Sequence, residues 1–125
     1  MICSFKVGDI VHAKEYGKYA ITDRGKPCKV KEIVDDRFEI EALWDGQTFY
    51  EKHIHFEKMS EEHYLHNGDM VRFVKDFSLE IAVIDKETVT KFMGYNPYGA
   101  YISYKGEVIR VPMKYIRKVH KGLLI

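Results

Sequence analysis

Four of the chain's six histidines fall between residues 53 and 66, as His53-x-His55 and His63-x-x-His66, with Glu51, Glu57 and Glu62 among them. Imidazole and carboxylate are ordinary zinc ligands, and either pair would share a face, the first on a strand and the second on a helical turn. The spacing matches no standard zinc site, so these read as histidines around a junction, and neither a metal nor a cofactor is expected. Cys3 and Cys28 have no CxxC spacing; both are expected to be reduced thiols, and Cys28, alternating with Lys29 and Lys31, reads as a small core residue. There is no GxSxG elbow, phosphate-binding glycine loop or HExxH helix to activate a nucleophile or hold a phosphate. An enzyme is not expected.

The aromatic residues carry more information. Tyr16, Tyr19 and Tyr50 accompany Trp44 in the first half, and Tyr95, Tyr98 and Tyr101 flank an Asn96-Pro97 turn in the second. Exposed rings form grooves or cages for peptides and cationic groups; the alternative is that Tyr19 and Trp44 cap a core and wet only their polar edges. Between Val108 and Ile125 stand Arg110, Lys114, Arg117, Lys118 and Lys121, with His120 and no acidic residue. Such a run suits phosphates or an acidic protein surface, and equally a basic edge strand that discourages aggregation. The apolar end Gly122-Leu123-Leu124-Ile125 is expected to dock on the protein or on a second subunit.

The remaining composition narrows the setting. A chain of 125 residues, 46% hydrophobic and 31% charged, is globular in kind and has room for one ordinary domain or two very small ones. It contains no membrane-length apolar run and opens with no signal-peptide pattern, so a cytoplasmic protein is expected. The formal net charge is only +1, which removes any general attraction to nucleic acid from the molecule as a whole.

What must position these residues is a repeated unit. Shifted by 60 residues, Val7-Gly8-Asp9-Ile10-Val11 falls on Asn67-Gly68-Asp69-Met70-Val71, and Trp44-Asp45-Gly46 on Tyr104-Lys105-Gly106. The same offset sets Phe38, Ile40, Ala42 and Trp44 on Tyr98, Ala100, Ile102 and Tyr104, which gives Tyr98 a core position and leaves Tyr95 and Tyr101 as the better contact residues. Within each copy apolar and polar residues alternate, as in Cys28-Lys29-Val30-Lys31 and Ala100-Tyr101-Ile102-Ser103-Tyr104, the two-residue period of a half-wet sheet. Asp45-Gly46, Lys105-Gly106, Asp35-Asp36 and Asn96-Pro97 mark the hairpin turns. The expected unit is a strand, a long loop, three hairpin-connected strands and a short closing segment, over residues 1–60 and again over 61–125. A unit of about 60 residues has a marginal core, so the copies are expected to pack together across Ser60-Glu61-Glu62-His63-Tyr64.

Val7-Gly8-Asp9-Ile10-Val11, the long loop with Tyr19-Ala20-Ile21-Thr22 and Gly25, Cys28-Lys29-Val30-Lys31-Glu32-Ile33, the Trp44-Asp45-Gly46 turn and the closing Phe56-Glu57-Lys58-Met59 together resemble small bacterial and phage SH3-like barrels. The layout is also similar to KOW-type and mind-bomb-type barrels. The second copy keeps the opening Gly-Asp, the Gly106 turn and the closing Tyr115-Ile116-Arg117-Lys118-Val119, but its first loop, Lys75 to Ile84, lacks the Tyr and Gly residues of the first. The resemblance implies an all-β protein of two tandem SH3-like barrels, monomeric or homodimeric, that works by binding and has no catalytic role. It further implies a phage or mobile-element type protein that docks on a host protein and modulates or inhibits it, through Tyr16, Tyr19, Trp44, Tyr50, Tyr95, Tyr98 and Tyr101. The alternative is RNA or single-stranded DNA binding by the basic, Tyr-rich face of the second copy, using Arg110, Lys114, Arg117, Lys118 and Lys121.

Overall fold

A computed structural model describes residues 4–16 and 22–120, and within them every regular element is a β-strand or a short 3-10 turn. Tyr19, Cys3, Lys121 and the Gly122-Leu123-Leu124-Ile125 end lie outside the described residues.

The first sheet takes its strands from residues 10–58: β1 (Ile10–Ala13), β2 (Cys28–Val34), β3 (Arg37–Ala42), β4 (Thr48–Lys52) and β5 (Phe56–Lys58), in the order β4-β3-β2-β1-β5. The second sheet takes its strands from residues 70–118: β6 (Met70–Phe73), β9 (Val89–Asn96), β10 (Gly99–Tyr104), β11 (Glu107–Val111) and β12 (Ile116–Lys118), in the order β11-β10-β9-β6-β12. All neighbours pair antiparallel. The two sheets have the same topology, and each is open, with β4 and β5, or β11 and β12, at its edges. Between β6 and β9 a small hairpin is inserted, β7 (Phe77–Ser78) with β8 (Val83–Ile84).

The repeat of 60 residues holds atom by atom where each sheet opens and closes. Gly8 and Gly68 both have φ near +95°, the left-handed conformation that glycine adopts without steric cost. Asp9 and Asp69 each accept the amide of the residue three positions earlier, Lys6 and His66, at 2.9 Å. Each is also paired with a lysine of the closing strand, Lys58 at 3.7 Å and Lys118 at 3.6 Å. A 3-10 turn precedes each closing strand, His53–His55 and Met113–Tyr115.

In the central hairpin the repeat slips by two. Val30 pairs with Ile40 in the first sheet and Phe92 with Ile102 in the second, and in both the residue that follows, Lys31 or Met93, is bulged out of register. The structural partner of Phe38 is therefore Ala100 and not Tyr98. Two residues are recovered at the next turn: Lys105-Gly106 makes a two-residue turn with both φ positive, while Leu43 to Gly46 makes a four-residue one. This corrects the core assignment of Tyr98, which is 66% exposed.

Each sheet has its own core. Phe38, Ile40, Val11, Val30 and Phe56 centre the first, and Phe73, Phe92, Ile102, Ile84 and Val71 the second. Each such side chain contributes about 1.5–3 kcal/mol by leaving water. Cys28 belongs to the first core, where burial pushes its thiol up to about 12, an unreactive group.

Candidate functional site

The sequence-predicted residues divide into those used inside the molecule and those that face out. Most of the first group meet where the two halves touch. Lys26, wholly buried, donates from Nζ to the Pro97 carbonyl at 2.9 Å and lies 4.2 Å from the centre of the Trp44 ring. Trp44 in turn contacts Tyr95, with ring centroids 6.2 Å apart. Burial lowers the Lys26 ammonium to about 8, and the carboxylates of Asp23 and Asp45 work against that fall. The Tyr95 hydroxyl accepts the Leu65 amide at 2.9 Å, and burial raises its pKa. Tyr16 packs against the second core beneath the Arg117 guanidinium, 4.5 Å from its ring centre. Tyr16, Trp44 and Tyr95 are thus junction residues, and Tyr95 exchanges its expected contact role for the internal one expected of Tyr98.

The histidines contribute to this framework too. His12, which is 1% exposed, accepts the Gly25 amide at Nδ1 (2.9 Å) and meets Glu57 Oε1 through Nε2 (3.1 Å). Arg24 donates to the same carboxylate oxygen at 2.6 Å and to the Lys14 carbonyl at 2.8 Å. Burial, with help from the Arg24 charge, lowers His12 to about 4, so the ring is neutral, its Nε2 proton directed at Glu57. His53 is buried between Phe5 and Phe38; its Nε2 pairs with the Asp35 carbonyl and its amide donates to that of Asp36, both at 3.1 Å. His63 lies against the His12 ring, 5.2 Å between centroids, and His66 stacks on Tyr64. Among the described residues no three His, Cys, Asp or Glu side chains gather as a metal site would require.

The basic run is likewise divided. Arg117 donates to the Ile116 carbonyl at 2.7 Å, and Lys118 binds the carbonyls of Glu61 and Tyr64 besides Asp69. Arg110 and Lys114 are exposed, Arg110 on β11 and Lys114 in the 3-10 turn.

What faces out is concentrated on two grooves, one per sheet. In the second sheet Tyr101 stands directly across from Arg110, and Tyr98, Arg110, Val111 and Pro112 line a groove of about 300 Å³ together with Asn96. Tyr98 and Tyr101 are 66% and 37% exposed. Asn96 Oδ1 accepts the Tyr98 amide at 2.9 Å and so fixes the turn, while its buried Nδ2 finds no acceptor among the described residues. Gly99 is what lets β10 lie this close to β11: a Cβ there would stand 2.3 Å from the Val111 carbonyl oxygen. In the first sheet Tyr50, 67% exposed, stands across from Glu39, and the hydrogen bond to that carboxylate raises the phenol's pKa.

One exposed element gives no signal in the sequence. The inserted hairpin carries Ile81 at its tip, 96% exposed, beside half-exposed Val83. No periodicity distinguishes an apolar residue lifted on a turn from one that is buried; only the pairing of β7 with β8 does.

No protein-family model, curated protein or solved structure matches the chain.

Proposed function

We propose that the chain is a pair of tandem SH3-like barrels, fused at the junction described above, that acts as a non-catalytic binding protein toward another protein. What supports the barrel reading is the shared order of a strand, a long connection, three hairpin-linked strands, a 3-10 turn and a closing strand that returns to pair with the first. The observation that carries the binding reading is the outer face of the second sheet. Two tyrosines and one arginine, the residue types that anchor protein interfaces, are held out of the core on a rigid hairpin. By the resemblance, the partner is a host protein that a phage or mobile-element protein modulates or inhibits. Binding to RNA or single-stranded DNA through Arg110 and Lys114 is the second reading; it is weakened because Arg117 and Lys118 already serve the fold.

Affinity capture from host lysate, with and without nuclease, compares the wild type, Tyr98→Ser/Tyr101→Ser and Arg110→Ala/Lys114→Ala. A protein retained after nuclease and lost with the tyrosine pair is the expected result. Capture that disappears with nuclease, or with steep log-linear salt dependence flattened by the basic pair, overturns it in favour of nucleic acid.

A further inference from the structure

The groove of the second sheet has a counterpart on the first, at the same place in the repeat. Phe49 lies across from Ile40 and Ile109 across from Ile102, so β4 and β11 correspond residue for residue at the offset of 60. One residue further, the pair Glu39 and Tyr50 corresponds to the pair Tyr101 and Arg110. The two-residue turn between Val34 and Arg37 corresponds to that between Asn96 and Gly99. The space enclosed on the first sheet is about 340 Å³.

The chemistry of the two grooves is opposite. On the first sheet Val34, 57% exposed, and Tyr50 supply apolar surface, and Glu32, Asp35, Asp36 and Glu39 supply four carboxylates. Arg37 is the single cation among the lining residues. The groove is preformed, because His53 holds both carbonyls of the Asp35-Asp36 turn from inside the sheet. Those carboxylates do not gather into a metal-binding arrangement, and they repel the phosphates of nucleic acid and of anionic lipid.

We propose that this groove is a second docking site, and that it takes a protein segment in which Lys or Arg alternates with apolar residues. Apolar side chains cover Val34 and Tyr50, which otherwise stay in water, while the cations meet the surrounding carboxylates. The groove discriminates by charge as well as by fit, since an acidic segment meets four carboxylates, against Arg37 with Lys52 across from it on one side.

The test uses the purified full chain, ¹⁵N-labelled, titrated at physiological salt with the amidated peptides acetyl-(Arg-Leu)₄ and acetyl-(Glu-Leu)₄. The arginine peptide is expected to shift the amides of residues 32–39 and of Tyr50, and the glutamate peptide is expected to leave them in place. Val34→Ser/Tyr50→Ser and, separately, Glu32→Gln/Glu39→Gln should each weaken the arginine peptide about tenfold or more. Both changes are on the surface, and the dispersion of amides in the second sheet reports that each variant is folded. Shifts spread over the whole surface, equal response to both peptides, or affinity untouched by Val34→Ser/Tyr50→Ser overturns the proposal. So does a dependence of the groove's signals on protein concentration without peptide, which would make a second copy of the chain the occupant. The outcome is separable from that of the capture experiment, which reads Tyr98, Tyr101, Arg110 and Lys114 on the other sheet.

Discussion

Two regions that share strand order and turn positions differ in how they use the connection after their first strand. In the first half the chain after β1 returns through Thr22, Asp23, Gly25 and Lys26, all buried, and is held there by the contacts of His12, Arg24 and Glu57. In the second half the same connection is a hairpin that packs Phe77 and Ile84 on its own core and leaves its tip, Ile81, in solvent. The position of His12 is taken there by Arg72, partly exposed and paired with Glu87 at 3.1 Å. One copy uses its loop to hold the two halves together and the other folds its loop onto its own core. The two copies thereby become asymmetric, with the network of buried His12, Arg24 and Glu57 in one where the other has the partly exposed pair of Arg72 and Glu87.

The largest expected effect comes from the site where the two hairpins correspond but their packing does not. Gly99 and Arg37 occupy equivalent positions, immediately after the two-residue turns. A side chain at 99 would run into the backbone at Val111 and Pro112, at 2.3 and 2.9 Å, whereas Arg37 is exposed. Gly99→Val should cost at least about 3 kcal/mol by denaturant melt, because the atoms it meets are backbone and leave nothing flexible to yield. Arg37→Val should change stability by no more than about 0.5 kcal/mol. Equal effects at the two sites would show that the strands are not as close at β10 and β11 as this packing requires.

Next in size is a pH dependence centred on His12, to which His63, whose pKa is also lowered by burial, lies adjacent. His12 stays neutral in the native protein down to about pH 4, while in the unfolded chain it takes up a proton near its ordinary 6.5. Between these values the unfolded chain binds more protons, so stability is full above pH 6.5 and falls as the pH drops toward 4, by up to about 3 kcal/mol. Glutamine at this position keeps an acceptor and a donor but does not titrate. Urea melts at pH 7 and pH 4.5 should therefore show wild type losing more stability than His12→Gln, whereas Arg72→Gln should follow the wild-type pH curve. A wild-type to His12→Gln difference that is the same at both pH values would refute the buried neutral ring.

Much of this asymmetry lay beyond what sequence can express. The duplication, the strands and the turns were legible because Gly8-Asp9 and Gly68-Asp69 must make the same left-handed turn and because alternation at Cys28 to Lys31 admits one sheet face only. The slip of two in the central hairpin was not, since Tyr98 and Ala100 both keep the apolar pattern and only the Asn96-Pro97-Tyr98-Gly99 turn decides which one points inward. The same slip exchanged the roles of Tyr95 and Tyr98. Arg117 and Lys118 read as free cations because the carbonyls they bind, from Ile116 and from Glu61 and Tyr64, carry no side-chain signature. Conversely the carboxylates around Tyr50 sit on two strands and a turn, and only the register of β2 with β3, which sets Glu32 across from Glu39, and that of β3 with β4 gather them there.

The smallest expected effect tests the two residues by which the turns differ in length. The longer turn of the first half, Leu43 to Gly46, carries Trp44 across to Tyr95 and Lys26; the two-residue Lys105-Gly106 turn has nothing equivalent. The ring is held by its faces, and its buried Nε1 hydrogen finds no acceptor among the described residues. What Trp44 brings to the contact between the halves is therefore its ring surface, beside the Lys26 bond to Pro97. Trp44→Phe keeps a ring there with somewhat less contact area and should leave stability within about 1 kcal/mol of wild type in a urea melt. A loss well beyond this would mean that the indole N–H is bonded in solution and that the turn is fixed by a polar contact as well as by its ring.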